Sequence, residues 1–88
     1  MNGFYFTTNG WTDYLYWQEQ DKKTLRKINI LIKDISRNGY SSIGKSEALS
    51  GNLSGLHSVH IDAKNRIVFK IVDDKLEIHA CRSHYGDK

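Results

Sequence analysis

Three short runs of β-branched and apolar residues crowd the C-terminal half of the chain: Val59-His60-Ile61, Ile67-Val68-Phe69-Lys70-Ile71-Val72 and Leu76-Glu77-Ile78-His79-Ala80. Turn-forming Asp62-Ala63-Lys64-Asn65 and Asp73-Asp74 separate them, so the pattern predicts three consecutive strands. A two-residue hairpin loop at Asp73-Asp74 pairs Val72 with Lys75, hence Ile71 with Leu76, Phe69 with Ile78 and Ile67 with Ala80. A three-residue loop Ala63-Lys64-Asn65, with Asn65 left-handed, pairs Ile61 with Ile67 and Val59 with Phe69. Apolar then meets apolar along one face, a match that a one-residue slip destroys. The opposite face collects His60, Asp62, Arg66, Val68, Lys70, Glu77, His79 and Cys81, with Lys70 across from Glu77 and Arg66 across from Cys81.

The N-terminal half changes period. Gly3-Phe4-Tyr5-Phe6-Thr7 reads as a first strand. Thr8 or Asn9 is expected to cap a helix from about Trp11 to Gln20, with Trp11, Tyr14, Leu15 and Gln18 on one stripe. Tyr16 and Trp17 fall outside that stripe, which predicts a helix that buries two faces or offers one to a partner. Asp21 caps a second helix, Lys22 to about Arg37, whose Leu25, Ile28, Leu31, Ile32 and Ile35 follow the spacing of a core-facing stripe. Its other side is basic, and Asn38-Gly39 ends it. The near absence of a connection favours an antiparallel helical hairpin lying on the apolar sheet face. Tyr40 to Gly51 reads as a Ser- and Gly-rich loop with Lys45 and Glu47 in its middle, where a scaffold holds functional side chains. The expected fold is α+β, in the order β-α-α-β-β-β, with the hairpin on a mostly antiparallel four-stranded sheet.

At 88 residues the chain supports one core and one domain. A net charge of +3 and a pI near 9.1 suit an anionic partner such as nucleic acid or an acidic protein. The one cysteine excludes an internal disulfide and fits a reducing cytosol. No run is apolar and long enough to span a bilayer and no signal-peptide pattern opens the chain, so a cytoplasmic protein without membrane partners is expected.

Several segments share a further pattern: Asp13-Tyr14-Leu15-Tyr16-Trp17-Gln18, Asp21-Lys22-Lys23, Lys27-Ile28-Asn29 and Leu31-Ile32-Lys33-Asp34. Gly44-Lys45-x-Glu47-x-Leu49, Asn52-Leu53-Ser54-Gly55, Arg66-Ile67-Val68 and Ala80-Cys81-Arg82-Ser83-His84-Tyr85 continue it in one register. Together they closely resemble the YoeB/Txe toxins of the RelE superfamily. The resemblance implies the toxin of a bacterial type II toxin–antitoxin pair, an endoribonuclease that enters the 70S ribosome and cuts A-site mRNA without metal or other cofactor. The 2′-hydroxyl attacks the adjacent phosphate, leaving a 2′,3′-cyclic phosphate and a 5′-hydroxyl. Implied partners are a YefM/Phd-like antitoxin, operator DNA bound by the toxin–antitoxin complex, and a second copy in a homodimer.

That chemistry needs a base, an acid and positive charge on the phosphorane. By resemblance, Glu47 is the base, Arg66 holds the phosphate, His84 protonates the leaving oxygen and Tyr85 orients the scissile nucleotides, with Lys45 and His60 as substrate-binding residues. The chain departs from the family pattern at Ser58-Val59-His60-Ile61, where Ser-Arg-Arg-Ile is usual and the second arginine is functional. His60 lacks the bidentate fork and is charged only part of the time, which implies weaker or more pH-dependent cleavage. Ser46 and Ser50 replace a usual proline and lysine, His57 replaces an aromatic, and Gly86-Asp87-Lys88 extend past the usual end as an expected flexible tail. His57 and His60 stand three apart on a strand and point to opposite faces, so no shared metal ion is expected. Two rivals remain: a catalytically weakened relative that binds antitoxin and regulates its operon, and a same-fold toxin aimed at another target such as gyrase. The set of Glu47, Arg66, His84 and Tyr85 argues against the last.

Overall fold

The computed structural model describes residues 3–41 and 46–82. Strand β1 (Phe4–Phe6) leads into helices α1 (Thr8–Gln20) and α2 (Lys22–Asn38), followed by strands β2 (Glu47–Ala48), β3 (His57–His60), β4 (Arg66–Val72) and β5 (Lys75–Ala80). The strands form one sheet in the order β1-β5-β4-β3-β2, antiparallel throughout except for the parallel β1–β5 pair. A helical hairpin on a mostly antiparallel sheet is therefore what forms, but with five strands instead of four. The added strand comes from the expected loop: Glu47 pairs with Ser58 and Ala48 with His57. Leu49 N–H donates to the Leu56 carbonyl and extends the ladder, and the turn at Gly51–Leu53 folds the chain back. A two-residue strand with an exposed Glu has no apolar alternation to announce it.

Asp21 ends one helix and starts the next. Its N–H bonds the Trp17 carbonyl, while its carboxylate accepts from Lys23 N, Thr24 N and Thr24 Oγ1. Gly39 closes α2 at φ 59° and donates to the Ile35 carbonyl. Helix α1 is capped by Thr7, one residue before the expected Thr8 or Asn9; Thr7 Oγ1 accepts from Gly10 N at 3.1 Å. Asn9 instead donates to the His79 carbonyl at 2.8 Å.

The apolar face of α2 (Ile28, Leu31, Ile32, Ile35) packs with Trp17 onto Val59, Ile61, Ile67, Phe69, Leu76, Ile78 and Cys81. The buried side of α1 differs from the expected stripe: it carries Gly10, Asp13 and Trp17, while Trp11 is 48% and Leu15 40% exposed. The helix lies almost on the β5 backbone. A Cβ on Gly10 would stand 2.3 Å from the Ile78 carbonyl oxygen. Asp13 Oδ2 accepts the Cys81 N–H at 3.0 Å, and Trp17 Nε1 donates to the Cys81 carbonyl at 2.7 Å. Glycine and aspartate carry no hydrophobic signal, so the pattern pointed to the wrong stripe.

The Asp73-Asp74 turn has both residues at positive φ, 51° and 63°, and sets the expected pairs Val72–Lys75, Ile71–Leu76 and Phe69–Ile78. Beyond them a bulge pairs Val68, not Ile67, with Ala80. The extra residue reverses the faces that follow, so Cys81 enters the core fully buried instead of facing Arg66. The β3–β4 hairpin is shifted by two from expectation: Val59 pairs with Ile67 and His57 with Phe69. Its loop runs longer because Asp62 Oδ1 accepts from Lys64 N, Asn65 N and Asn65 Nδ2, which holds the turn without a left-handed Asn65. An even shift keeps apolar against apolar.

Gly10→Ala should destabilise the protein by about 2 kcal/mol, since steric overpacking outweighs the gain of about 1 kcal/mol in helix propensity. Urea unfolding checks the sign: a more stable variant would mean that α1 does not touch the Ile78 backbone.

Candidate functional site

The sheet face away from the helices carries two polar clusters. The first lies where β2, β3 and β4 meet. Glu47 projects from the edge strand, Arg66 opens β4, and His60 is the cross-strand partner of Arg66. Glu47 Oε1 is 3.7 Å from His60 Nε2 and 3.6 Å from Arg66 Nη1. The Glu47 and His60 side chains are 61% and 50% exposed, whereas that of Arg66 is 17% exposed. Arg66 Nη1 also donates to Ser58 Oγ at 3.2 Å, and its buried Nε has no hydrogen-bond partner among the described residues. Ser58 is buried, directly opposite both Glu47 and Val68. Ser58 thus aligns the strand that presents the carboxylate and grips the guanidinium that faces it.

The fold thus brings together Glu47, His60 and Arg66, three of the residues singled out in the sequence. Lys45, His84 and Tyr85 lie outside the described residues, as does the 86–88 segment. Ser58 was missed; its signal was a small polar residue on the same β3 face as His60, opposite the strand that holds Glu47. His57 lies on the helix side, with its ring 4.0 Å from that of Tyr40, so it and His60 face opposite ways.

The second cluster is centred on Glu77. Its carboxylate accepts the Tyr5 hydroxyl of β1, meets His79 Nε2 at 2.5 Å and lies 3.7 Å from Lys70 Nζ of β4. The Tyr5 hydrogen bond, helped by His79 and Lys70, holds the Glu77 carboxyl below the usual carboxylate range despite its partial burial. The same hydrogen bond raises the Tyr5 phenol above its ordinary value. These groups satisfy one another across three strands and staple β1 to the sheet. On the helix side, an apolar cleft of about 580 Å³ is lined by Phe4, Phe6, Trp11, Tyr14 and Ile32, with Lys33 at its margin. No carboxylate or imidazole lines it. The first cluster is therefore the one that leaves a carboxylate and an imidazole largely exposed.

A helical hairpin on a mostly antiparallel sheet of this kind is the fold of the YoeB-type toxins of known structure. The family model for the YoeB-like toxin of bacterial type II toxin–antitoxin systems matches residues 6–85, and the chain belongs to that family. Toxin YoeB of Escherichia coli K12 is 49% identical over 80 residues, covering 91% of this chain and 95% of that protein. A YoeB/ParE toxin from Agrobacterium tumefaciens superposes with a TM-score of 0.89 at 35% identity, over 94% of this chain and 99% of that one. Staphylococcus aureus YoeB, solved in a YoeB–YefM complex, gives 0.85 at 40% identity over 93% of this chain and 95% of that one. A S. aureus YoeB dimer gives 0.84 at 40% identity over 94% and 97%. This chain is therefore a YoeB-family toxin of a toxin–antitoxin system. Among the described residues no helix is long and apolar enough to cross a membrane.

Ser58→Ala should cost about 1.5–3 kcal/mol, the range for a lost hydrogen bond to a charged group. Urea unfolding measures it, and a loss below about 0.5 kcal/mol would show that Ser58 does not hold Arg66. Glu77 gives a pH prediction. Its folded pKa lies below the unfolded one, so its contribution is present above the unfolded value and lost as pH falls through the folded value. The urea midpoint of the wild type should therefore fall more steeply between about pH 5 and pH 3 than that of Glu77→Gln.

Proposed function

We propose that this chain is a ribosome-dependent endoribonuclease that cuts mRNA in the A site by attack of the 2′-hydroxyl on the adjacent phosphate. The observation that carries this reading is the convergence of Glu47, His60 and Arg66 within 3.7 Å on an open sheet face. An RNA backbone is the substrate on which these groups act together. Glu47 draws off the 2′-hydroxyl proton, Arg66 meets the charge that builds on the phosphorane, and His60 touches the phosphate. His84 supplies the proton to the 5′-oxygen, Tyr85 stacks on and orients the scissile nucleotides, and Lys45 adds a phosphate contact. Every role is filled by a side chain, so the scheme needs no metal.

The S. aureus complex supports a YefM-like antitoxin as the neutralising partner, and the S. aureus dimer supports self-association. In this reading the toxin acts as a single domain in the cytoplasm, and its complex with antitoxin binds the operator of its own operon. A second reading has one observation in its favour. His60 stands where the family pattern has an arginine, and losing one transition-state donor costs about 3 kcal/mol, roughly a hundredfold in rate. A chain weakened to that degree would act chiefly through antitoxin binding and autoregulation.

Primer extension on programmed ribosomes tests the first reading with purified wild type, Glu47→Ala and His84→Ala. The expected result is a new A-site stop that disappears in both variants. Wild-type protein that binds antitoxin tightly yet makes no stop would favour the regulatory reading.

A further inference from the structure

We propose that Tyr40 is a positioning residue for the cleavage: it clamps the edge strand β2 to the sheet and so sets where Glu47 stands. The inference rests on the ribonuclease reading above and deepens it. Glu47 sits on a two-residue strand at the edge of the sheet, bonded to a neighbouring strand on one side only. A strand that short defines its own register poorly, and a slip by one residue would turn the carboxylate to the helix side. β2 therefore needs an anchor outside itself.

Tyr40, in the helical turn Gly39–Ser41 that follows α2, supplies that anchor through three separate contacts. Its hydroxyl accepts the Ile71 N–H at 3.1 Å. The β3–β4 pairing ends at His57 and Phe69, so this hydroxyl stands where a longer β3 would have met Ile71. The ring covers the end of β3, 4.0 Å from the His57 ring and 5.8 Å from that of fully buried Phe69. The Tyr40 carbonyl accepts the Ser46 hydroxyl at 2.9 Å, one residue before Glu47. His57 in turn pairs with Ala48, one residue after Glu47. Glu47 is thus flanked by Ser46, which bonds Tyr40 directly, and by Ala48, whose partner lies under the Tyr40 ring. The clamp lies on the helix side of the sheet, so Tyr40 acts through the strand and not on the RNA. Arg66 is gripped separately by Ser58, which leaves the placement of the carboxylate to the β2 anchor. A shift of about 1 Å in a reacting group costs on the order of a hundredfold in rate.

Tyr40→Phe removes the hydroxyl bond and keeps the ring, Ser46→Ala removes the second bond and leaves Tyr40 intact, and Ser46→Thr keeps the hydroxyl. Native-state hydrogen exchange reads the clamp directly. The Leu49 N–H, bonded to the Leu56 carbonyl just past β2, reports on the edge, and the Lys70–Glu77 pair reports on the rest of the sheet. In the double variant Tyr40→Phe/Ser46→Ala, Leu49 should exchange at least about tenfold faster, over and above any change at Lys70 and Glu77. Single-turnover cleavage on saturating programmed ribosomes should slow about threefold to tenfold in each single variant and about thirtyfold in the double. Ribosome binding should stay within about twofold of wild type, and Ser46→Thr should cleave within about twofold of it. A loss carried by ribosome binding instead of by the bound rate would overturn the inference, as would a double variant that cuts at the wild-type rate. A wild type that makes no cut sinks the nuclease reading and the catalytic consequence drawn from it. The exchange rates then still decide whether Tyr40 anchors β2, with equal changes at Leu49 and at Lys70 and Glu77 counting against it.

Discussion

The structure hangs on the direct contact between the start of α1 and the backbone of β5. Gly10 lets the helix settle onto the Ile78 carbonyl, closer than any side chain allows. From there Asp13 takes the Cys81 N–H and Trp17 the Cys81 carbonyl, while Thr7 N–H bonds the Ile78 carbonyl. Both backbone groups of Cys81 are therefore satisfied by α1, where the β5 ladder has run out. A buried peptide with neither partner would cost several kcal/mol (roughly 2–7). Arg82 continues the contact, with its guanidinium 3.6 Å from the centre of the Tyr16 ring. Of the two uses expected for the aromatic side of α1, burial or a partner, Tyr16 and Trp17 thus serve the chain's own segment at the end of β5.

The β4–β5 bulge between Val68 and Phe69 sends Cys81 toward the helices and leaves Val68 and Ala80 between the two polar clusters. On one side Glu77 gathers Tyr5, Lys70 and His79 into a self-satisfied group that ties three strands together. On the other, Glu47, His60 and Arg66 approach without closing tight hydrogen bonds among themselves. That difference separates a self-satisfied cluster from an open one. Groups with a full set of partners have little left for a substrate, while an exposed carboxylate and imidazole beside a gripped guanidinium keep theirs. Ser58 matters because it grips the permanent cation beside the exposed carboxylate and imidazole.

How much of this was legible depends on parity. The β3–β4 register came out two residues from expectation, and because side chains alternate with a period of two, His60 and Arg66 stayed on the bare face and became direct cross-strand partners. The β4–β5 register slipped by one at the bulge, and Cys81 changed sides. Glu47 was expected in a loop and lies on a strand. Its two-residue strand depends on hydrogen bonds to β3 that no local pattern encodes.

Local chemistry determined a good deal by itself. The period of two in the C-terminal half, the heptad-like stripe of α2, the Asp21 cap between the helices and the left-handed Asp73-Asp74 turn each depend on neighbours within a few residues. The residue types at positions 47, 60 and 66 were equally plain. The tertiary structure alone decided which side of α1 is buried, where the ladder bulges and how close the carboxylate, imidazole and guanidinium come. Those outcomes turn on contacts between segments dozens of residues apart, such as Gly10 against Ile78 and Ser58 against Arg66, where a missing Cβ or a single hydroxyl carries the information. Hydrophobic patterning is blind to both.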